Sequence, residues 1–163
     1  MKFVENDSDI EKVRQQMLDN IERTGRALVG VFPGDPSSDP VNDAFVYTIG
    51  NGDRNLPELL IVGLYDDEYI LNALSKMMLE RGKPFEDGEL VEMGGKCPAC
   101  VVDAAESVKK RYTIQATSYH RAKRQKYRVM QVVLPDREGL FPWQRGCAKP
   151  YSKVKVHRAK ALN

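Results

Sequence analysis

The chain of 163 residues has no apolar run approaching the roughly 20 residues that a helix needs to cross a bilayer, and it has no internal repeat. Its opening, Met1-Lys-Phe-Val-Glu-Asn-Asp7, holds too short an apolar segment for a signal peptide, so a cytoplasmic protein is expected. Cysteine is scarce: Cys97, Cys100 and Cys147 are the whole complement. Without an export signal they are expected to stay reduced, and no disulfide framework is implied. A Walker-type phosphate loop, a dinucleotide fingerprint and a serine nucleophile elbow are all missing, which removes the function classes most easily read from sequence. With two histidines and one tryptophan, candidates for acid–base chemistry or aromatic recognition are few.

What is present suits one domain. At 42% hydrophobic and 29% charged residues the composition is that of an ordinary globular protein, long enough to build a core without disulfides. The net charge of +2 conceals a division. Residues 1–108 carry 10 Lys and Arg against 21 Asp and Glu, a balance of −11; residues 109–163 carry 15 against 2, a balance of +13. Such asymmetry points to an anionic partner or ligand, or to an intramolecular match with the acidic first part.

Taken in order, Ser8-Asp-Ile-Glu11 has the form of a capping box, and Ile10, Val13, Met17 and Ile21 follow at helical spacing until Gly25. A helix over about 9–24 is predicted. Residues 26–32, 44–50 and 58–64 read as strands, with Asn51-Gly52-Asp53 as a turn favouring antiparallel pairing of the last two. Asp66 is placed to cap a second helix over about 67–81, with Ile70, Leu71, Leu74, Met77 and Met78 as its apolar stripe. Two weaker strands, 89–93 and 99–105, flank Gly94-Gly95-Lys96. The basic stretch 109–128 is read as carrying a third helix over about 114–125, with Tyr112, Ala116, Tyr119 and Lys123 on one face. Val129–Leu134 is a central buried strand ended by Pro135. Strands in runs rather than strict alternation predict a single α+β domain over 1–150, with a mostly antiparallel or mixed sheet of about six strands and three helices. Residues 151–163 read as a basic, flexible tail.

Four features carry candidate chemistry. Cys97-Pro-Ala-Cys100 has the spacing of half a zinc site or a redox pair, but Cys147, His120 and His157 are not spaced to complete it, and strand rather than helix follows; a turn with two ordinary thiols is the favoured reading, with no metal. Tyr119-His120 offers a titratable ring in the basic helix, against the plainer alternative of a structural histidine. The basic, tyrosine-containing stretch 109–128 suits phosphates and bases, against the alternative of a solvated helix face. Asp136-Arg137-Glu138-Gly139 is a turn on any reading; Arg137 offers a planar fork to an anion and Trp143 a wall, unless both merely close the turn and cover the core.

Three motifs in this order and spacing, Phe45-Val-Tyr-Thr-Ile-Gly50, Pro57-Glu-Leu-Leu-Ile-Val-Gly-Leu64 and Val129-Met-Gln-Val-Val-Leu-Pro-Asp-Arg-Glu-Gly-Leu-Phe-Pro-Trp143, resemble a mainly bacterial domain-of-unknown-function family, number 4262. The resemblance covers about residues 26–146 and implies a compact cytoplasmic domain. It brings no activity, cofactor or catalytic set. Cys97-Pro-Ala-Cys100 stands outside the shared pattern.

The leading functional expectation is a non-catalytic binding module for a small anionic ligand, nucleotide-like or phosphate-bearing. Tyr47, Thr48, His120, Arg137 and Trp143 are expected to line its pocket. One alternative is nucleic-acid binding through 109–128. The other is a small enzyme using His120 or Tyr47 as acid or base, with a flavin as its candidate cofactor. No membrane partner is expected.

Overall fold

The computed structural model describes residues 7–63, 68–95 and 97–160. Six strands run along it: β1 Ala27–Val31, β2 Phe45–Ile49, β3 Glu58–Val62, β4 Glu89–Val91, β5 Ala99–Asp103 and β6 Val129–Val133. Among the described residues four α-helices accompany them: α1 Asp7–Thr24, α2 Glu68–Arg81, and the shorter α3 Val108–Arg111 and α4 Ile114–Ala122. The strands form one mixed sheet in the order β1-β2-β3-β6-β5-β4. This is a single α+β domain.

The turn at Asn51–Arg54, a short 3-10 helix, folds β3 back against β2, and Tyr47 pairs with Leu60. β6 then returns beside β3 in parallel, Glu58 opposite Val129, after a crossover long enough to bring the chain back to the starting end. β5 lies antiparallel on its other side, Cys100 opposite Val133. β6 therefore has a neighbour on each edge, and all five of its residues are buried.

Period-two alternation divides the core between the faces. Phe45, Tyr47, Leu60, Val62 and Val129 pack under α1, α3 and α4 with Ile21, Tyr112 and Ala116. Val46, Leu59, Ile61, Met130 and Val132 pack against Leu71, Leu74 and Met78 of α2. The methionine expectation holds for Met78, which is fully buried core.

Four expectations need correction or limits. Ser8 lies inside α1 rather than capping it, because the helix already includes Asp7. The role expected of Asp66 falls outside the described residues. The basic segment is two helices: the backbone leaves helical geometry at Thr113 (φ −87°, ψ 47°), so Tyr112 is buried against the sheet and does not share a helical face with Tyr119. α4 ends at Ala122, before the expected Gln125, because Arg124 adopts a left-handed conformation at φ 54°.

The expected flexible tail is also corrected as far as residue 160. Gln131 Oε1 accepts from His157 N–H at 2.8 Å, and Gln131 Nε2 donates to Lys155 O at 2.9 Å. Asn42 Oδ1 accepts from Lys155 N–H at 2.8 Å, Ala159 N–H donates to Asp103 O at 2.8 Å, and Val154 is buried. A polar Gln131 in the middle of β6 signals this strap, since a buried amide demands partners that the flanking strands do not supply.

Candidate functional site

At the end of the sheet where β3 begins, Pro57-Glu58 turns a carboxylate beneath the Asn51–Arg54 turn. Glu58 is fully buried. Main-chain N–H groups of Gly50, Asn51 and Gly52 donate to it at 3.0, 3.0 and 3.2 Å, and the Thr48 hydroxyl at 2.9 Å. His120 Nε2 lies 2.6 Å away as the fifth donor. Converging donors are what make a buried carboxylate tolerable. Gly50 permits the turn: it sits at φ 127°, and a Cβ there would stand 2.4 Å from the Gly25 carbonyl oxygen.

His120, in the last turn of α4, stacks on Tyr127 (4.6 Å between centroids, 24° between planes) and meets Tyr119 edge-on. Its Nδ1 lies 2.5 Å from Gln125 Nε2, which also donates to Asp53 Oδ1 at 2.7 Å. Because a carboxylate accepts, the Asp53 contact fixes the Gln125 amide with its NH2 toward both neighbours. Nδ1 of His120 is then an acceptor, and the Nε2 proton is donated to Glu58. Asp53 collects two more donors, the Tyr119 hydroxyl and Lys123 Nζ, both at 2.6 Å. Burial pushes the Asp53 carboxyl up, but the hydrogen bonds from Lys123, Tyr119 and Gln125 outweigh it and hold the group below its ordinary range. Gly52 has to lack a side chain, since a Cβ there would lie 2.5 Å from His120 Cε1 and 2.8 Å from Nε2.

Above this chain of contacts opens a groove of about 890 Å³, reached by His120, Gln125 and Tyr127 and bordered by Lys109, Arg121, Arg124, Lys126 and Arg128. Two of these cations are engaged: Lys109 pairs with Glu106 at 2.8 Å, and Arg128 with Asp103 at 3.4 Å. Arg121, Arg124 and Lys126 have no carboxylate partner among the described residues. Arg124 is the residue at φ 54°, one position past the cap of α4, where glycine is the usual occupant. A cation is thus held where the backbone favours no side chain.

The model of a family described as a domain of unknown function (DUF4262) matches residues 20–148. The chain belongs to that family. No curated protein and no solved structure matches it. The DUF4262 match takes in all six strands and the residues Asp53, Glu58, His120, Arg124 and Gln125, while the first part of α1 and the strap at 151–160 lie outside it.

Within this DUF4262 domain the five residues expected to share a pocket do not. Thr48 and His120 meet, both donating to Glu58. Tyr47 is buried on the α4 side, where its hydroxyl accepts from Gln115 N–H at 3.2 Å and burial pushes its pKa up to about 12. Arg137 and Trp143 follow the far end of β6, whereas Glu58 faces Val129 at the near end. There Asp136 closes the turn, accepting from Glu138, Leu140 and Ala148 N–H at 2.9, 2.9 and 2.8 Å. Arg137 is exposed with no partner among the described residues, and Trp143 stacks on Phe141 at 4.9 Å. Cys97 and Cys100 sit at that same far end, with Cys100 buried in β5 and its thiol pKa raised by that burial. Among the described residues no group of three His, Cys, Asp or Glu side chains is arranged to hold a metal.

Sequence reasoning missed Glu58, Asp53 and Gln125. Glu58 carried a signal: one charge opening the apolar run Leu59-Leu-Ile-Val62 has to find donors if the strand is buried. Asp53 and Gln125 carried none, since turn and loop positions accept Asp and Gln for many reasons.

Proposed function

We propose that the groove over His120 binds a small phosphate-bearing anion and does not transform it. The observation that carries this reading is the grouping of Arg121, Arg124 and Lys126 around one concavity whose lining carboxylate, Glu106, is paired with Lys109 instead. The size of the groove falls in the range of small-molecule sites, and guanidinium forks suit phosphoryl oxygens. Binding is favoured over catalysis because both His120 nitrogens are committed, to Glu58 and to Gln125, and because the Tyr47 phenol is buried with its pKa near 12. His120 therefore has no unengaged nitrogen, and the Tyr47 phenol is not an available base at neutral pH.

A small ligand is favoured over a polynucleotide because much of the basic segment is spent internally. Arg111 pairs with Asp43, Lys123 with Asp53 and Arg128 with Asp103, which leaves a local cluster rather than a continuous track. Calorimetric titration with inorganic triphosphate and a nucleoside triphosphate tests the reading. The wild-type protein should bind, and Arg124→Ala and Lys126→Ala should each weaken binding on the order of tenfold. Absence of binding, or unchanged affinity in the double variant, refutes it. Preferential binding of a single-stranded oligonucleotide with a steep salt dependence decides for nucleic acid instead.

A further inference from the structure

We propose a second anion site on the opposite side of the Asn51–Arg54 turn, where Arg26 and Arg54 together with Lys76 receive a phosphoryl group. A cavity of about 510 Å³ lies there between the end of α1 and α2, lined by Thr24, Arg26, Arg54, Tyr69, Asn72 and Lys76 among others. Arg26 is half-buried, yet its hydrogen bonds go to neutral oxygens: Nε to Asn72 Oδ1 at 3.0 Å and Nη1 to Asn51 Oδ1 at 3.4 Å. Arg54 lies across the bare Cα of Gly25 and gives Nη1 to the Gly25 carbonyl at 3.1 Å. Nη2 of the half-buried Arg26 has no acceptor among the described residues, and Arg54 is exposed, free to turn its Nη2 toward a ligand.

Two guanidinium groups side by side repel one another, and a half-buried one has lost part of its hydration. Burial first and the Arg54 charge second pull the Arg26 pKa below its ordinary value, with Glu58 opposing them. An oxyanion between the two arginines would relieve both effects and give the Arg26 Nη2 group a charged acceptor. Lys76 adds a third positive charge that is scarcely engaged, its one carboxylate contact being Glu80 at 4.0 Å with both side chains largely exposed. Three cations suit a phosphate dianion better than a single carboxylate. Tyr69, 75% exposed at the rim, gives a flat surface for whatever carries the phosphate.

The test follows the arginine Nε–Hε signals of the nitrogen-15-labelled full chain during titration with inorganic phosphate, and with acetate at matched ionic strength. Saturable shifts at Arg26 and Arg54 with phosphate, and none with acetate, are expected. Arg54→Ala should weaken the Arg26 response on the order of tenfold. The Arg124→Ala/Lys126→Ala protein should keep both responses, which separates this site from the groove over His120. Unmoved or non-saturating Arg26 and Arg54 signals in the wild-type protein, or equal shifts with acetate, overturn the proposal. That arm holds even where Arg54→Ala fails to fold.

Discussion

His120 Nε2 and a carboxylate oxygen of Glu58 stand 2.6 Å apart, with side chains 1% and 0% exposed. The contact joins the start of β3 to the last turn of α4, and the same carboxylate gathers the N–H groups of the turn between β2 and β3. One buried acid therefore ties together the strand, the turn and the helix that form the floor of the cationic groove.

Replacing that acid should cost a large part of the protein's stability. Glu58→Ala strands five donors at once, and each buried donor left without an acceptor costs about 1–3 kcal/mol. Urea unfolding followed by circular dichroism measures it. Glu58→Gln should be milder, because one amide oxygen still accepts while the NH2 opposes a donor. A loss below about 1 kcal/mol for Glu58→Ala would mean that water replaces the carboxylate freely.

Gly52→Ala puts a methyl group within 2.8 Å of two His120 ring atoms, so the ring or the turn has to move. Overpacking of this kind costs about 1–3 kcal/mol. The stacking of His120 on Tyr127 should loosen in parallel, seen as altered ring-current shifts of both residues by NMR. Unchanged melting temperature and unchanged shifts would show that the turn yields without strain.

Asp53→Asn should reveal an acid-range contribution. The folded-state pKa of Asp53 is depressed, so its stabilisation is present above the unfolded-state value of about 3.9 and disappears as pH falls through the lower folded value. The stability gap between wild type and Asp53→Asn is expected to be flat from about pH 5 upward and to narrow below about pH 4. Denaturation midpoints across that range provide the check. A gap that persists undiminished at low pH contradicts the role assigned to the ionised carboxylate.

Tyr47→Phe should act at the alkaline end. With the folded pKa raised from 10.0 to about 12, the neutral phenol stabilises the fold fully below the unfolded value, and that contribution is lost as pH rises toward 12. Two pKa units correspond to about 2–3 kcal/mol. The variant should lose the hydrogen bond from Gln115 N–H at neutral pH but show a shallower alkaline loss of stability. Equal alkaline slopes for the two proteins would sink this account.

Much of the fold was legible because its causes are local. The short, mostly apolar runs 45–49, 58–62 and 129–133 are rich in β-branched and aromatic residues or bounded by turn signals, as buried strands are, and Asn51-Gly52-Asp53 announces the turn that pairs two of them. The break at Thr113 was not legible, because Tyr112 and Tyr119 are spaced as they would be on one helix. The break shows in tertiary contacts, Thr113 Oγ1 with the Tyr127 hydroxyl at 3.0 Å and Tyr112 in the core beneath α3. The tail misled for a related reason. Lys153, Lys155 and Arg158 look like solvent residues, while the groups that pin the strap are main-chain atoms meeting Asn42 and Gln131.

By itself the sequence determined the element types, the central place of β6, the family likeness and the concentration of positive charge after residue 108, since each depends on residues near one another or on simple sums. Only the tertiary structure decided which charges are spent. It placed Asp43, Asp53 and Asp103 against Arg111, Lys123 and Arg128, and left Arg121, Arg124 and Lys126 around one groove. It also sent Arg137 and Trp143 to the far end of β6, because a strand carries its two ends apart however strongly its sequence ties them together.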